Sequence, residues 1–241
     1  FAIQLAKAGV NVILSARSVE KLETLAATIT QHYGVAVWVF AENLAIAGSA
    51  EQLYNAIKKQ GLKIDLLVNN AGFGRWTNFL DEQISTYEEM IELNIISLTT
   101  LTQLVIPDML SKKEGGIINV ASTGAFQPCP YVTTYCATKA YVLSFSEGIY
   151  GEFYKKGITI TALCPGNTTT GFQSIAKANT KGMRADKAET VAKQGIQAML
   201  KGKSYTVVGT DNYITSLSPR FLTRKAIIHL VARMMGNKVN W

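Results

Sequence analysis

Tyr135 and Lys139 stand four residues apart at the head of a run, 134–150, whose apolar positions (Ala140, Tyr141, Leu143, Phe145, Ile149) recur as on one broad helix face. Positions four apart on a helix share a face, so the phenol and the ammonium point the same way. A neighbouring positive charge favours phenolate and pulls a phenol pKa down from about 10. A tyrosine tuned in this way can exchange a proton with a carbonyl or alcohol oxygen near neutral pH. Ser122, 13 residues upstream of Tyr135, offers a hydroxyl that can donate to an oxygen gathering negative charge. A tyrosine and a lysine meeting by accident on an amphipathic helix would look the same in isolation. The rest of the chain decides between the two.

The elements that must position these groups alternate between two periods. Residues 1–9 read as a helix stopped by Gly9, 11–15 as a strand, and 18–33 as a helix capped by Ser18. A strand at 35–40 and a helix at 47–60 follow, then a strand at 66–69 and one long helix at 87–110, which Pro107 should end or kink. The alternation continues with 116–120, 134–156, 159–164, 187–200 and 205–208. Strands apolar on both faces, joined by helices of ten or more residues, predict a parallel sheet covered on both sides. The fold class expected is α/β, a doubly wound parallel sheet in one domain over 1–216, followed by an amphipathic tail over 217–241.

Five short motifs lie along this pattern. Asn69-Asn70-Ala71-Gly72 ends one strand, Asn94 sits mid-helix, Ser122 ends another strand, Tyr135 and Lys139 open a helix, and Pro165-Gly166 closes a third strand. Asn94 and Ser122 are 28 residues apart, and Ser122 and Tyr135 are 13 apart. In this order and at these spacings the chain resembles the short-chain dehydrogenases/reductases, nearest to the DltE-type and the ketoacyl- and 17β-hydroxysteroid-type reductases. The resemblance spans nearly the whole chain. It implies a Rossmann-type three-layer αβα domain and hydride transfer between a nicotinamide cofactor and a carbonyl or secondary alcohol. It also implies roles. Tyr135 passes the proton, Lys139 holds the nicotinamide ribose and depresses the Tyr135 pKa, and Ser122 steadies the oxyanion. Asn94 perturbs its helix and anchors a water in a relay to Lys139, with a purely structural asparagine as the alternative.

The same resemblance assigns a cofactor path. The strand at 11–15 runs into Ser15-Ala16-Arg17-Ser18 with no acid before Glu20, so Arg17 suits the 2′-phosphate of NADP better than the 2′-hydroxyl of NAD. The alternative is an exposed arginine at a helix start. Asn43 and Leu44 stand where the family has an acidic residue and an apolar one, and the Asn43 carbonyl can still accept from an adenine amine. Asn70, Ala71 and Gly72 form a small-residue floor. Pro165, Gly166 and Thr168 are expected beside the nicotinamide, Thr170 near the phosphates, and 172–184 as a substrate lid. The family opens with a strand and a glycine turn that lead into the helix matched by residues 1–9. That strand would lie between 11–15 and 66–69, and without it two apolar edges face each other unpaired. The expectation is therefore a longer natural protein.

Composition narrows the rest. The 241 residues, 48% hydrophobic and 17% charged, suit one well-buried domain. The +7 charge is scattered, without the basic stripe interleaved with aromatics that nucleic-acid binding requires, so no nucleic-acid partner is expected. Three cysteines and two distant histidines give no metal spacing and read as reduced thiols of a cytoplasmic protein. No run reaches the ~18–20 apolar residues of a membrane span. The tail mixes Phe221, Leu222, Ile227, Ile228, Leu230 and Val231 with Arg220, Arg224, Lys225 and Arg233. It either lies on a membrane surface or, the preferred reading, folds back over the substrate pocket or a partner. The resemblance implies a homodimer or homotetramer through the helices carrying Asn94 and Tyr135. The alternatives to a carbonyl reductase are a cofactor sensor without turnover, an inert fragment and a sugar-nucleotide epimerase.

Overall fold

The computed structural model describes residues 1–239, so the last two positions of the tail, Asn240 and Trp241, lie outside the described residues. In chain order the elements are α1 (Ala2–Lys7), β1 (Val12–Ala16), α2 (Val19–Tyr33), β2 (Val37–Ala41), α3 (Ser49–Lys59) and β3 (Leu66–Asn69). Next come α4 (Ile84–Ile91), a π-helical segment (Glu92–Ser97), α5 (Leu98–Lys112), β4 (Gly115–Val120), α6 (Thr133–Phe153) and β5 (Ile158–Cys164). The chain finishes with β6 (Thr168–Thr169), α7 (Phe172–Ile175), β7 (Asp186–Lys187), α8 (Ala188–Leu200), β8 (Tyr205–Val207), α9 (Thr210–Leu217) and α10 (Arg224–Gly236). Some starts and stops have a local cause. The Ser18 hydroxyl accepts from the Lys21 amide at the head of α2, and Gly34 ends that helix in the left-handed region.

Every strand pair is parallel, as the doubly wound pattern predicts. The main sheet runs β3-β4-β5-β8, β1 pairs only with β2, and the short β6 and β7 pair with each other. Side chains alternate between the two faces. Ile13, Leu67 and Ile117 point towards α3, α5 and α6, whereas Leu14, Val68 and Ile118 point towards α1, α2 and α8. The two sheet pieces thus share their helical layers. α3 packs Ala50 and Leu53 in one cluster with Ile13 and Phe40 from one piece and Leu67 from the other. Between β1 and β3 the backbone ladder is interrupted, and an apolar slot lies where the missing pairing was expected.

The structure corrects two local expectations. The helix over 87–110 begins earlier, at Ile84, and continues past Pro107 to Lys112, while the perturbation expected at Asn94 takes the form of a π-helical segment. A helix admits proline where its ring and missing donor are accommodated, and here the last turns are held by packing of Val105, Ile106 and Met109 on β4 and β5. Ile84–Lys112 is also the one helical stretch among the described residues long and apolar enough to cross a membrane, where no such run was expected. Its apolar side chains Leu98, Leu101, Val105 and Met109 are buried in the domain core.

A chain of buried polar groups locks α6 to the sheet. Asn69 donates to Asn119 (2.8 Å) and Thr102 (3.1 Å), Asn119 donates to Ser146 (2.9 Å), and Ser146 donates to the Val142 carbonyl (2.6 Å). Asn119 and Ser146 are completely buried, so each must find its partners within the protein. The chain fixes the helix that carries Tyr135 relative to the strand that ends at Ser122. Asn119→Ala is expected to lower the unfolding free energy by about 1–3 kcal/mol, because it strands buried partners; denaturant unfolding of the two proteins measures this.

Candidate active site

Ser122 follows β4 at the carboxyl end of the sheet, where open α/β sheets bind ligands. Its backbone is extended and its hydroxyl accepts from the Gly124 amide at 3.1 Å, the start of a tight turn. Tyr135 and Lys139 lie on the first turns of α6, with the Lys139 ammonium 5.8 Å from the centre of the Tyr135 ring. Lys139 is 4% exposed and donates to the Val120 carbonyl at 2.7 Å, which ties α6 to the last residue of β4.

Asn94 is fully buried in the π-helical segment. It donates to the Phe73 carbonyl (3.0 Å) and the Thr138 hydroxyl (3.0 Å), and its own carbonyl accepts from the Phe73 amide (3.2 Å). Thr138 in turn donates to the Tyr135 carbonyl at 2.7 Å. The loop after β3, the π-helical segment and the start of α6 are therefore held together by one side chain. Asn94 lies behind the loop and is absent from the cavity wall, whereas Ser122, Tyr135 and Lys139 line it.

Two glycines make this approach feasible. A Cβ on Gly72 would sit 2.9 Å from the Asn94 carbonyl oxygen and 3.4 Å from the Lys139 nitrogen. One on Gly74 would press to 2.8 Å against the Tyr135 ring. Gly72 was expected as a floor residue; Gly74 carried no signal beyond being a glycine in a loop. The expected lid holds α7, whose Phe172 ring packs 5.3 Å from that of Tyr135. α7 is fastened to the loop after β3 by the Trp76 amide, which donates to the Ala176 carbonyl at 2.9 Å, and by Arg75, which donates to the Ile175 carbonyl.

The electrostatics overturn one expectation. Burial pushes the Tyr135 phenol well above its usual range, and the adjacent Cys136 adds to the shift; the hydroxyl of Ser122 works the other way, more weakly. Lys139 does not depress it. Its own pKa is lowered by burial to about 8, and its hydrogen bond is spent on a backbone carbonyl. Tyr135 is consequently a neutral phenol near pH 7.

One cavity joins this centre to the residues assigned to a dinucleotide. Arg17, Asn43, Leu44, Asn70, Ala71, Gly72, Pro165, Gly166, Thr168 and Thr170 all line it. Arg17 is exposed at the end of β1, and the Ser15 hydroxyl beside it is buried without a partner. A sugar hydroxyl or phosphate oxygen in that place would satisfy it. Asn43 uses its side-chain carbonyl to accept from the Ala45 amide (3.3 Å), and a second lone pair stays available. The Leu44 carbonyl accepts from Ser97. Thr168 donates to the Gly166 carbonyl, and Gly166 leaves space that Asn212 occupies. The Thr170 hydroxyl caps α7 by accepting from the Phe172 amide at 3.1 Å. The residues present thus fit the adenosine and nicotinamide ends of such a cofactor. Among the described residues no cluster of three or more His, Cys, Asp or Glu could hold a metal ion.

Residues 1–181 match the family model of the short chain dehydrogenases. The chain is 37% identical over 183 residues to the very-long-chain 3-oxoacyl-CoA reductase of Anas platyrhynchos, covering 73% of this chain and 58% of that protein. It is 36% identical over 189 residues to hydroxysteroid dehydrogenase-like protein 1 of Gallus gallus, covering 75% and 55%. The chain therefore spans little more than half the length of these two relatives. A solved 7beta-hydroxysteroid dehydrogenase superposes with a TM-score of 0.84 at 23% identity, over 96% of this chain and 90% of that one. A short-chain dehydrogenase from Sphingobium yanoikuyae in complex with NADPH gives 0.82 at 25% identity, over 94% and 88%. With the motif order, the parallel sheet and the convergence of Ser122, Tyr135 and Lys139 on one cavity, the conclusion is that this chain belongs to the short chain dehydrogenase family.

Proposed function

We propose that the protein is an NADP(H)-dependent oxidoreductase that interconverts a carbonyl and a secondary alcohol, working as a reductase of apolar ketones. The observation that carries this reading is the convergence of Ser122, Tyr135 and Lys139 on one end of a cavity whose outer wall is apolar. Trp76, Val132 and Phe172 form that wall near the phenol, and Ile227, Val231 and Met235 of α10 continue it. The names of the relatives, a 3-oxoacyl-CoA reductase and a hydroxysteroid dehydrogenase-like protein, support long-chain 3-oxoacyl or steroid-like carbonyls as the substrate class.

A bound nicotinamide cofactor would supply the hydride in reduction. Tyr135 holds the proton that the carbonyl oxygen needs as its charge develops, and burial keeps that proton in place until it is required. Ser122 presents a hydroxyl towards the same oxygen. Lys139, charged below about pH 8, offers its ammonium to a ribose hydroxyl. Phe172 and Trp76 keep water away from the phenol. Arg17 would take the 2′-phosphate, and the complex of the Sphingobium yanoikuyae relative with NADPH supports that preference.

Finer points complete the proposal. The exposed Ile84, Ile91 and Ile96, with Tyr141 of α6, offer an apolar surface for a second copy of the chain, in a dimer or tetramer. The tail folds back, with Val231 and Met235 packed near Val132, yet leaves Phe221 83% exposed beside Arg220 and Arg224, a face suited to peripheral membrane contact. Three unpaired cysteines fit a reducing, cytoplasmic setting.

Three outcomes follow. Tyr135→Phe is expected to lower kcat for reduction of a long-chain 3-oxoacyl thioester by about 10²–10⁴-fold while NADPH binding persists. Steady-state rates and a fluorescence titration separate this from a sensor, which would bind NADPH and turn over nothing. Arg17→Glu should reverse the preference of NADPH over NADH, read as the ratio of the two Kd values. Lys139 has opposed effects on rate and stability. Folded Lys139 loses its proton at about 8 and the unfolded residue at about 10.4, so the folded state is penalised below pH 8 and the penalty fades up to about 10.4. Lys139→Met should therefore abolish turnover yet raise Tm at pH 7, with a smaller gain at pH 10.

A further inference from the structure

Two thiols sit against the catalytic turn without a part in the chemistry above. Cys129 and Cys136 are both buried, share one small apolar cluster with Val132, and face the cavity. Their sulfurs converge on Gly124. The Cys129 sulfur donates to the Gly124 carbonyl at 3.8 Å and to the Gln127 carbonyl at 3.4 Å. The Cys136 sulfur lies 2.7 Å from where a Cβ on Gly124 would stand, so it fills the space that this glycine leaves open. The chain between them bends back through Tyr131, which takes a left-handed backbone (φ 67°), before α6 begins at Thr133. The Val132 amide donates to the Cys129 carbonyl, closing that bend.

The pair is also chemically asymmetric. Cys136 hydrogen-bonds to Cys129 and holds its pKa below the usual thiol value, and Gln127 adds to this. The Cys136 thiol is pushed up by the same bond and by burial. Of the two, Cys129 gives up its proton more readily and Cys136 keeps its own, the division of labour between an attacking and a resolving cysteine.

We propose that Cys129 and Cys136 form an oxidisable thiol pair, closed to a disulfide by hydrogen peroxide entering the cavity, and that the disulfide switches the active site off. The Cys129 thiolate attacks one peroxide oxygen; the S–O bond forms, the O–O bond breaks, and the departing hydroxide takes a proton to become water. The Cys136 sulfur then attacks the Cys129 sulfur, the S–S bond forms, and the S–O oxygen leaves as a second water with the Cys136 proton. Two thiols lose two electrons, and one peroxide becomes two waters. The new bond draws the Cys136 sulfur out of the space beneath Gly124, whose amide holds the Ser122 hydroxyl, and Cys136 adjoins Tyr135 in sequence. Both reacting groups are displaced together.

The loss of turnover in this proposal rests on the reductase reading; the disulfide itself does not. The test treats the full protein with stoichiometric hydrogen peroxide, counts thiols and maps peptides by mass spectrometry. The expected result is a fall from three free thiols to one, with residues 129 and 136 in the cross-linked peptide and Cys164 free. Turnover should fall by about 10²-fold, the scale of a small misplacement of reacting groups, and return with dithiothreitol. Cys129→Ser should keep basal turnover and lose the sensitivity. Three thiols remaining, a cross-link through Cys164, unchanged turnover in the cross-linked protein, or inhibition persisting in Cys129→Ser would each overturn the proposal. A protein that forms the cross-link but has no turnover before oxidation would refute the reductase reading and the switch, leaving the thiol pair established.

Discussion

A fully buried amide must satisfy its donors and acceptor inside the protein, and Asn94 does so at the junction of three segments. Its partners, the Phe73 amide and carbonyl and the Thr138 hydroxyl, belong to the loop after β3 and to the head of α6. Meeting both requires the helix to widen locally, and the π-helical segment from Glu92 to Ser97 is that widening. Gly72 then passes over Asn94 without a side chain, and the Lys139 ammonium closes on the same space that a side chain there would fill. The positions of the phenol and the ammonium thus depend on one amide that never reaches the cavity.

Burial on this scale sets the chemistry as well as the geometry. In water, Lys139 would bias Tyr135 towards phenolate; inside the protein both charged forms are disfavoured, the phenol shifts up and the ammonium shifts down. The pair therefore rests as neutral phenol and weakly held ammonium. A resting phenol is the proton donor that reduction requires, whereas oxidation would first have to remove that proton. The protonation state of the site is thus set by its solvation as much as by the identity of its residues.

Much of this was legible in the sequence because it depends on local patterns. Alternating periods of two and 3.6 residues gave the order of strands and helices, and β3 fell on its predicted bounds. Ser122, Tyr135 and Lys139 were found by spacing, and every cofactor residue expected from the resemblance lines the one cavity. What could not be read depends on contacts between distant segments. A perturbed helix at Asn94 was expected from the resemblance, but its form, a π-helical widening, comes from Asn94 meeting Phe73 and Thr138, 21 and 44 residues away. The continuation through Pro107 comes from packing on β4 and β5. The Asn69–Asn119–Ser146 chain left a faint trace, polar residues inside otherwise apolar runs. The Tyr135 shift was misjudged because spacing shows who the neighbours are and not how dry the place is.

The packing of α3 has a mechanical consequence. Ala50 and Leu53 of this helix share one cluster with Ile13 and Phe40, beside the strand that leads to Arg17, and with Leu67, on the sheet that leads to Ser122. Close-packed interiors transmit strain, so a change of volume at Leu53 would be felt on both sides. The adenosine end and the reacting end of the cavity are gauged against the same few side chains.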